Sequence, residues 1–141
     1  MRGLAEYERL EHTFAVTPER LAEHLFGARP YVEALIAEAA GRPAGYALFF
    51  PTYSTFLGQP GLYLEDLFVL PEQRGAGLGK RLLAEVAAIA ARRGCARLEW
   101  AVLDWNRPAI DFYERLGARR NESWLTCRLD GEALQRLADS I

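Results

Sequence analysis

Between Gln73 and Lys80 the chain reads Gln-Arg-Gly-Ala-Gly-Leu-Gly-Lys, with glycines at 75, 77 and 79 and cations at Arg74 and Lys80. Three alternate positions lack the side chains that hold a ligand away from the backbone, so the N–H groups of Gly75, Ala76, Gly77, Leu78 and Gly79 can turn into one concavity. The strand-like run Leu62–Leu70 precedes this stretch and the helical run Leu78–Arg93 follows it, which sets the concavity at a helix N-terminus. The helix dipole adds partial positive charge there, and the arrangement suits a phosphate. Two familiar phosphate loops do not fit. A P-loop requires glycine where this chain has Arg74 and Ser or Thr where it has Arg81. The dinucleotide fingerprint requires glycine at the position of Lys80.

Three further groupings could carry chemistry. Glu65-Asp66 places two carboxylates in the strand that leads into the glycine run. Strand alternation lets one of them face solvent and turns the other to the opposite face. Asn106-Arg107-Pro108 reads, by local physics alone, as a helix entry with a turn-forming Asn and a first-turn Pro. Phe112-Tyr113, just before Gly117, reads by itself as core packing with the Tyr hydroxyl bonded to a nearby carbonyl.

The elements that must position these residues follow from periodicity and punctuation. Leu4, Tyr7, Leu10 and Phe14 recur at helical spacing from Arg2 onward, and Thr17-Pro18-Glu19 opens a second helix running to about Leu25. Tyr31–Glu38 and Ala44–Tyr53 flank the turn Gly41-Arg42-Pro43 as an antiparallel hairpin, and Leu62–Leu70 continues the meander. Then come helix Leu78–Arg93 closed by Gly94, strand Ala96–Leu103, helix Pro108–Leu116 closed by Gly117, strand Ser123–Leu129 and helix Gly131–Asp139. This order predicts an α+β or mixed α/β sheet with helices on its faces.

At 141 residues the chain reads as a single domain spanning residues 1–141, long enough to bury roughly two thirds of its unfolded surface. Half of its residues are hydrophobic, yet no apolar run approaches the ~18 residues of a membrane span, and Met1-Arg2-Gly3 does not begin a signal peptide. The expectation is a soluble cytoplasmic protein without a membrane partner. The net charge of −2, with Lys and Arg dispersed, argues against nucleic acid and leaves room for a cationic substrate. Cys95 and Cys127 fall on separate expected strands without metal-ligand spacing, so they read as reduced structural thiols, and no metal is expected.

The pattern Arg-Gly-x-Gly-x-Gly-Lys after a strand resembles the pyrophosphate loop of the GNAT N-acetyltransferases, which hold acetyl-coenzyme A. From Tyr7 nearly to the C-terminus the chain is similar to the diamine acetyltransferase branch, which acetylates spermidine, spermine or thialysine. The likeness rests on Tyr63-Leu64-Glu65-Asp66-Leu67-Phe68-Val69, on the glycine run, and on the stretch from Asp104-Trp105-Asn106 through Phe112-Tyr113 to Gly117-Ala118. It implies a central, mostly antiparallel sheet flanked by helices. It also implies that Leu67, Phe68, Val69, the run from Arg74 to Lys80, Asn106, Ala109 and Tyr113 contact acetyl-CoA, with Tyr113 beside the sulfur.

Direct transfer of acetyl from a thioester to an amine sets three demands. An aliphatic amine is only about one part in a thousand neutral at pH 7, a deficit of roughly 4 kcal/mol, so a base must take its proton. The resemblance gives Glu65 that task, directly or through water. Charge developing on the thioester oxygen needs a donor, which the family supplies as a backbone N–H from a distorted strand at Leu67–Val69. The leaving thiolate needs a proton, and the Tyr113 phenol is the implied acid.

By the same resemblance Tyr7, Glu8, Glu65, Asp66, the Glu99–Ala101 strand with Trp100, Glu122 and Trp124 line the amine pocket. Carboxylates and aromatics suit an alkylammonium, although a helix Glu such as Glu8 serves equally as a solvated face. Ser54 and Phe56 stand where the polyamine enzymes carry an acid and a tryptophan. That departure weakens a distal ammonium site and favours a small primary amine, a diamine or a lysine- or thialysine-like amino acid over spermine. A protein amino group, an aminoglycoside, or acetyl-CoA binding without turnover are the alternatives.

The family's opening strand has no counterpart before the first helix, and the expectation is a misplaced start or a truncation rather than a true family variant. Tyr31–Glu38 then becomes an exposed sheet edge. The family is commonly dimeric, and with the exposed edge and an apolar C-terminal strand this implies a homodimer.

Overall fold

A computed structural model describes residues 1–141. Two compact units divide the chain, Met1–Leu103 and Asp104–Ile141. The first unit contains helix α1 (Arg2–Glu8), a 3-10 turn (Glu11–Thr13), helix α2 (Pro18–Phe26), strands β1 (Glu33–Ala39), β2 (Arg42–Ser54) and β3 (Gln59–Val69), helix α3 (Leu78–Arg92) and the short strand β4 (Leu98–Glu99). The second contains helices α4 (Arg107–Arg115) and α5 (Gly131–Ala138). No helix is long and apolar enough to cross a membrane.

The sheet runs in the order β1-β2-β3-β4, antiparallel except for the parallel β3/β4 pair. In the β2/β3 register Ala47 opposes Leu67 and Phe49 opposes Leu64, on the face where Val69 lies 3.7 Å from a Cβ built at Gly79 of α3. α3 presents Leu82, Leu83, Val86 and Ala90, one helical stripe, and these are buried together with Ala47, Phe49, Leu62 and Leu64. Each large apolar side chain removed from water there contributes about 1.5–3 kcal/mol. The opposite face carries Tyr46, Leu48, Asp66 and Phe68. α1 covers part of it, with a Cβ at Gly3 falling 3.0 Å from the Phe68 ring.

Local signals set most boundaries. The Thr17 side chain accepts a hydrogen bond from the Arg20 N–H at 3.2 Å, and Pro18 occupies the first turn of α2. The helix from Arg2 is shorter than its apolar spacing suggested, because Arg9 adopts a left-handed conformation at φ 60° and the chain continues as the 3-10 turn.

Three expectations are corrected. The β1/β2 turn is Ala40-Gly41, both at positive φ, and Arg42-Pro43 already belongs to β2, because Ala39 pairs with Arg42 and leaves two residues for a tight turn. The strand expected over Ala96–Leu103 is only Leu98–Glu99, pairing Leu62 and Tyr63. Ser123–Leu129 is not a strand. Asp104–Ile141 holds no other strand, and a strand without a partner leaves its backbone groups unpaired. Cys95 and Cys127 therefore lie off the strands, and both are thiols. The exposed-edge expectation holds, since β1 pairs only with β2.

Candidate active site

The glycine run forms where β3 ends. A 3-10 turn at Pro71–Gln73 carries the chain from Val69 to Arg74, and Gly77 caps α3 in the left-handed region at φ 79° with no side chain capping the first turn. Gly75 has φ 83°, and a Cβ built at either Gly75 or Gly77 meets nothing within 4 Å. The positive φ by itself favours glycine at both positions, and the open space beside them leaves room for a ligand lying along the backbone. The cradle therefore fits a phosphate-bearing group held by Gly75, Ala76, Gly77, Leu78, Gly79 and Lys80.

Arg74 is engaged differently from a simple phosphate cation. Its Nε–H donates to the Val69 carbonyl at 3.0 Å, and its guanidinium lies 4.9 Å from the Tyr7 ring centroid and 5.7 Å from that of Phe68. It ties the loop to the end of β3 and to α1 by cation–π contact.

The strand distortion lies at Glu65 rather than at Leu67–Val69. Leu48 opposes Asp66 and Phe49 opposes Leu64, so Glu65 is an extra residue on β3, while Leu67, Phe68 and Val69 pair regularly with Ala47, Tyr46 and Gly45. A bulge of this kind places two successive side chains on one face and sharpens strand twist. The expectation that alternation would separate Glu65 from Asp66 fails for that reason. The same twist explains the brevity of β4: pairing with β3 stops at Tyr63, and β3 from Leu64 to Val69 has no strand on that side.

The bulge assembles an acidic face. The Tyr46 hydroxyl donates to Asp66 Oδ2 at 2.9 Å. Burial pushes the Asp66 carboxyl above the ordinary aspartate range, partly offset by this bond and by the amino group of Met1. Glu8 on α1 is also raised, first by burial and then by the charges of Asp66 and Glu65. Tyr46 is strongly raised by burial, the Asp66 charge, the hydrogen bond and the Glu8 charge. Tyr63 is raised by burial and by Glu65 and Glu99, against a hydrogen bond from the Ala101 backbone. Carboxylates that raise one another's proton affinity hold negative potential that a bound cation relieves. Tyr46 read in the sequence only as a strand residue, and Tyr63 only as part of the stretch that carries the family likeness. Trp100 follows β4 directly and is half-buried, and Glu99 pairs with Arg97 at 2.8 Å.

In the second unit Asn106 is 6% exposed and caps α4, its Oδ1 accepting from the Ala109 N–H at 3.4 Å. The helix-entry reading therefore holds for Asn106 and Ala109. Tyr113 lies on α4 with its ring 5.2 Å from that of Phe112, and its carbonyl accepts from the Leu116 and Ala118 N–H groups. Glu122 is exposed and pairs with Arg120 at 3.7 Å, and Trp124 is 72% exposed. The strand expected over Ser123–Leu129 is absent, so Trp124 lies in irregular chain.

Comparison with known proteins agrees with this geometry. The chain is 39% identical to thialysine N-epsilon-acetyltransferase of Mus musculus, over 98% of this chain and 87% of that protein. It is 35% identical to an L-ornithine N5-acetyltransferase of Arabidopsis thaliana, over 95% of this chain and 78% of the relative. An integron cassette protein from the mobile metagenome of V. cholerae superposes with a TM-score of 0.81 at 28% identity, covering 98% of this chain and 86% of that one. Residues 2–118 match the model of the Acetyltransferase (GNAT) family, and with the glycine cradle and the bulged strand ahead of it, this chain belongs to that family.

Proposed function

We propose that the protein transfers acetyl from acetyl-coenzyme A to a primary amine of a small molecule, a diamine or a lysine-, thialysine- or ornithine-like amino acid. The observation that carries this reading is the bulge at Glu65, which gathers Glu65 and Asp66 on the face that also holds Glu8. Such a face suits an alkylammonium. The relatives named for thialysine and ornithine point to amino acids with a side-chain amine. Asp66, Glu8, Tyr7 and Trp100 serve as acceptor-binding residues, joined by Glu122 and Trp124 on the strength of the family resemblance.

Acetyl-CoA, when bound, supplies a thioester that an amine can attack directly. The chain's part is to hold and orient it, for which the glycine loop with Arg74 and Lys80 would take the pyrophosphate, and the family resemblance adds Leu67, Phe68, Val69, Asn106 and Ala109 as contacts. Glu65, exposed on the bulge, takes the proton of the ammonium group, and Tyr113 returns a proton to the leaving sulfur. The protein acts in the cytoplasm, apart from nucleic acid and membranes, as a homodimer, for which the single-sided edge β1 is the structural support. Light scattering that gives a monomer at high concentration overturns the dimer.

Thiol release from acetyl-CoA, measured against lysine, thialysine, ornithine, diamines, polyamines, a lysine peptide and an aminoglycoside, tests the reading. Turnover is expected with the amino acids or diamines. Turnover confined to the peptide or the aminoglycoside replaces the acceptor class. Acetyl-CoA binding without turnover on any amine makes the protein a binding module.

A further inference from the structure

Tyr46 stands opposite Phe68 in the β2/β3 register, so Asp66 is its diagonal neighbour across the strands. A tyrosine reaches that far, and its hydroxyl meets Asp66 Oδ2 at 2.9 Å. The contact exists because of the bulge: were Glu65 paired in regular alternation after Leu64, Asp66 would oppose Ala47 and turn to the α3 face and into the apolar core. The Tyr46 ring is half-buried and packs 6.1 Å from that of Phe68, which itself lies against α1 and beneath Arg74. The hydroxyl is thus held by packing and not by the hydrogen bond alone.

Two adjacent carboxylates on one face differ in exposure. Glu65 is exposed, as a group that takes and releases a proton must be. Asp66 is partly buried, and one of its oxygens is committed to Tyr46. A carboxylate fixed in this way offers its other oxygen in one direction, which suits a lasting ion pair better than a proton shuttle. The groups directed at Asp66 are Tyr46 from β2, Glu65 beside it on β3, Glu8 from α1, and the amino group of Met1.

Resting on the acceptor reading above, we propose that Tyr46 is a positioning residue of the acceptor site. Its hydroxyl fixes Asp66 as the anchor for the acceptor's second cationic group, the one that is not acetylated. Tyr46 thereby selects acceptors with two cationic groups over simple monoamines. The pair also sets the pH at which that anchor fails. Tyr46 bonds the charged carboxylate, so its removal raises the Asp66 proton affinity further, and affinity for the second cation is then lost at a higher pH as the solution is acidified.

Steady-state kinetics of the full chain with lysine, cadaverine and n-pentylamine test this. Tyr46→Phe should raise KM for lysine or cadaverine on the order of tenfold while kcat and the KM for acetyl-CoA hold, and n-pentylamine should be unaffected. The rise of KM on acidification should begin at higher pH than in the wild type. Asp66→Asn should show the same selectivity with a larger effect, and the double variant should be no worse than Asp66→Asn alone. Additive effects, equal losses for n-pentylamine, or unchanged kinetics in Tyr46→Phe overturn the proposal. If Tyr46→Phe does not fold, Asp66→Asn decides alone, and an equal loss for both acceptor types overturns it. No transfer by the wild type to any amine overturns the acceptor reading and this proposal with it; an active wild type with an indifferent Tyr46→Phe overturns only the role of Tyr46.

Discussion

Replacement of Gly77 by alanine separates what the glycine cradle does for the fold from what it does for a ligand. A Cβ at this position meets no protein atom within 4 Å, so there is no clash to relieve. The cost within the protein is that of a left-handed backbone at φ 79°, about 1–2 kcal/mol. For a chain of this length each kcal/mol lowers the melting temperature by roughly 3–5 °C. Gly94 supplies a matched control: its φ is 68°, a Cβ there also meets nothing, and it follows α3 at the far end of its 15 residues, about 25 Å away. Both variants should melt a few degrees below the wild type. Only Gly77→Ala should lose acetyl-CoA affinity, because its methyl group occupies the space of the pyrophosphate and displaces charge-assisted bonds of about 1.5–3 kcal/mol each. Titration calorimetry should record a loss on the order of 10- to 100-fold. Wild-type affinity in Gly77→Ala, or an equal loss in Gly94→Ala, refutes the cradle.

Tyr113→Phe should lower turnover by a factor on the order of 10²–10⁴ with acetyl-CoA affinity unchanged, and full activity removes Tyr113 as the acid. Glu65→Gln should make activity climb with pH toward the amine's own pKa, since solvent must then supply the neutral nucleophile, and an unaltered pH profile between pH 6 and about 10 removes the base. Arg93 donates to both oxygens of Glu33 at 2.6 and 2.7 Å, joining the end of α3 to edge strand β1. The hydrogen bonds lower the Glu33 pKa below 4.5, so this contribution is present above that value and is lost as pH falls through the folded-state value. Both side chains are more than 40% exposed, so Glu33→Gln should cost less than about 1 kcal/mol at neutral pH in chemical denaturation and nothing in acid; a larger loss contradicts a screened pair.

What the sequence determined by itself is local. The start of α2 at Thr17-Pro18, the cap of α4 at Asn106, the span of α3 to within one residue and the glycine loop at its N-terminus were all legible, because each is specified by a few neighbouring residues through capping, periodicity and the absence of side chains. The meander was legible from strand and turn signals, and the family likeness added the roles expected of Glu65, Asp66 and Tyr113. Tertiary structure decided the rest. The bulge at Glu65 is a matter of register between β2 and β3, and no property of Leu64-Glu65-Asp66 alone fixes which residue goes unpaired. From that register follow the shared face of Glu65 and Asp66, the hydrogen bond from Tyr46 twenty positions earlier, and the two-residue length of β4. Arg74 likewise reads in sequence only as a cation beside the glycines, and its contact with the Tyr7 ring depends on where α1 lies. Ser123–Leu129 has the composition of a strand, yet composition supplies only half of a ladder; the other half must come from a neighbouring strand, and a segment without one remains irregular.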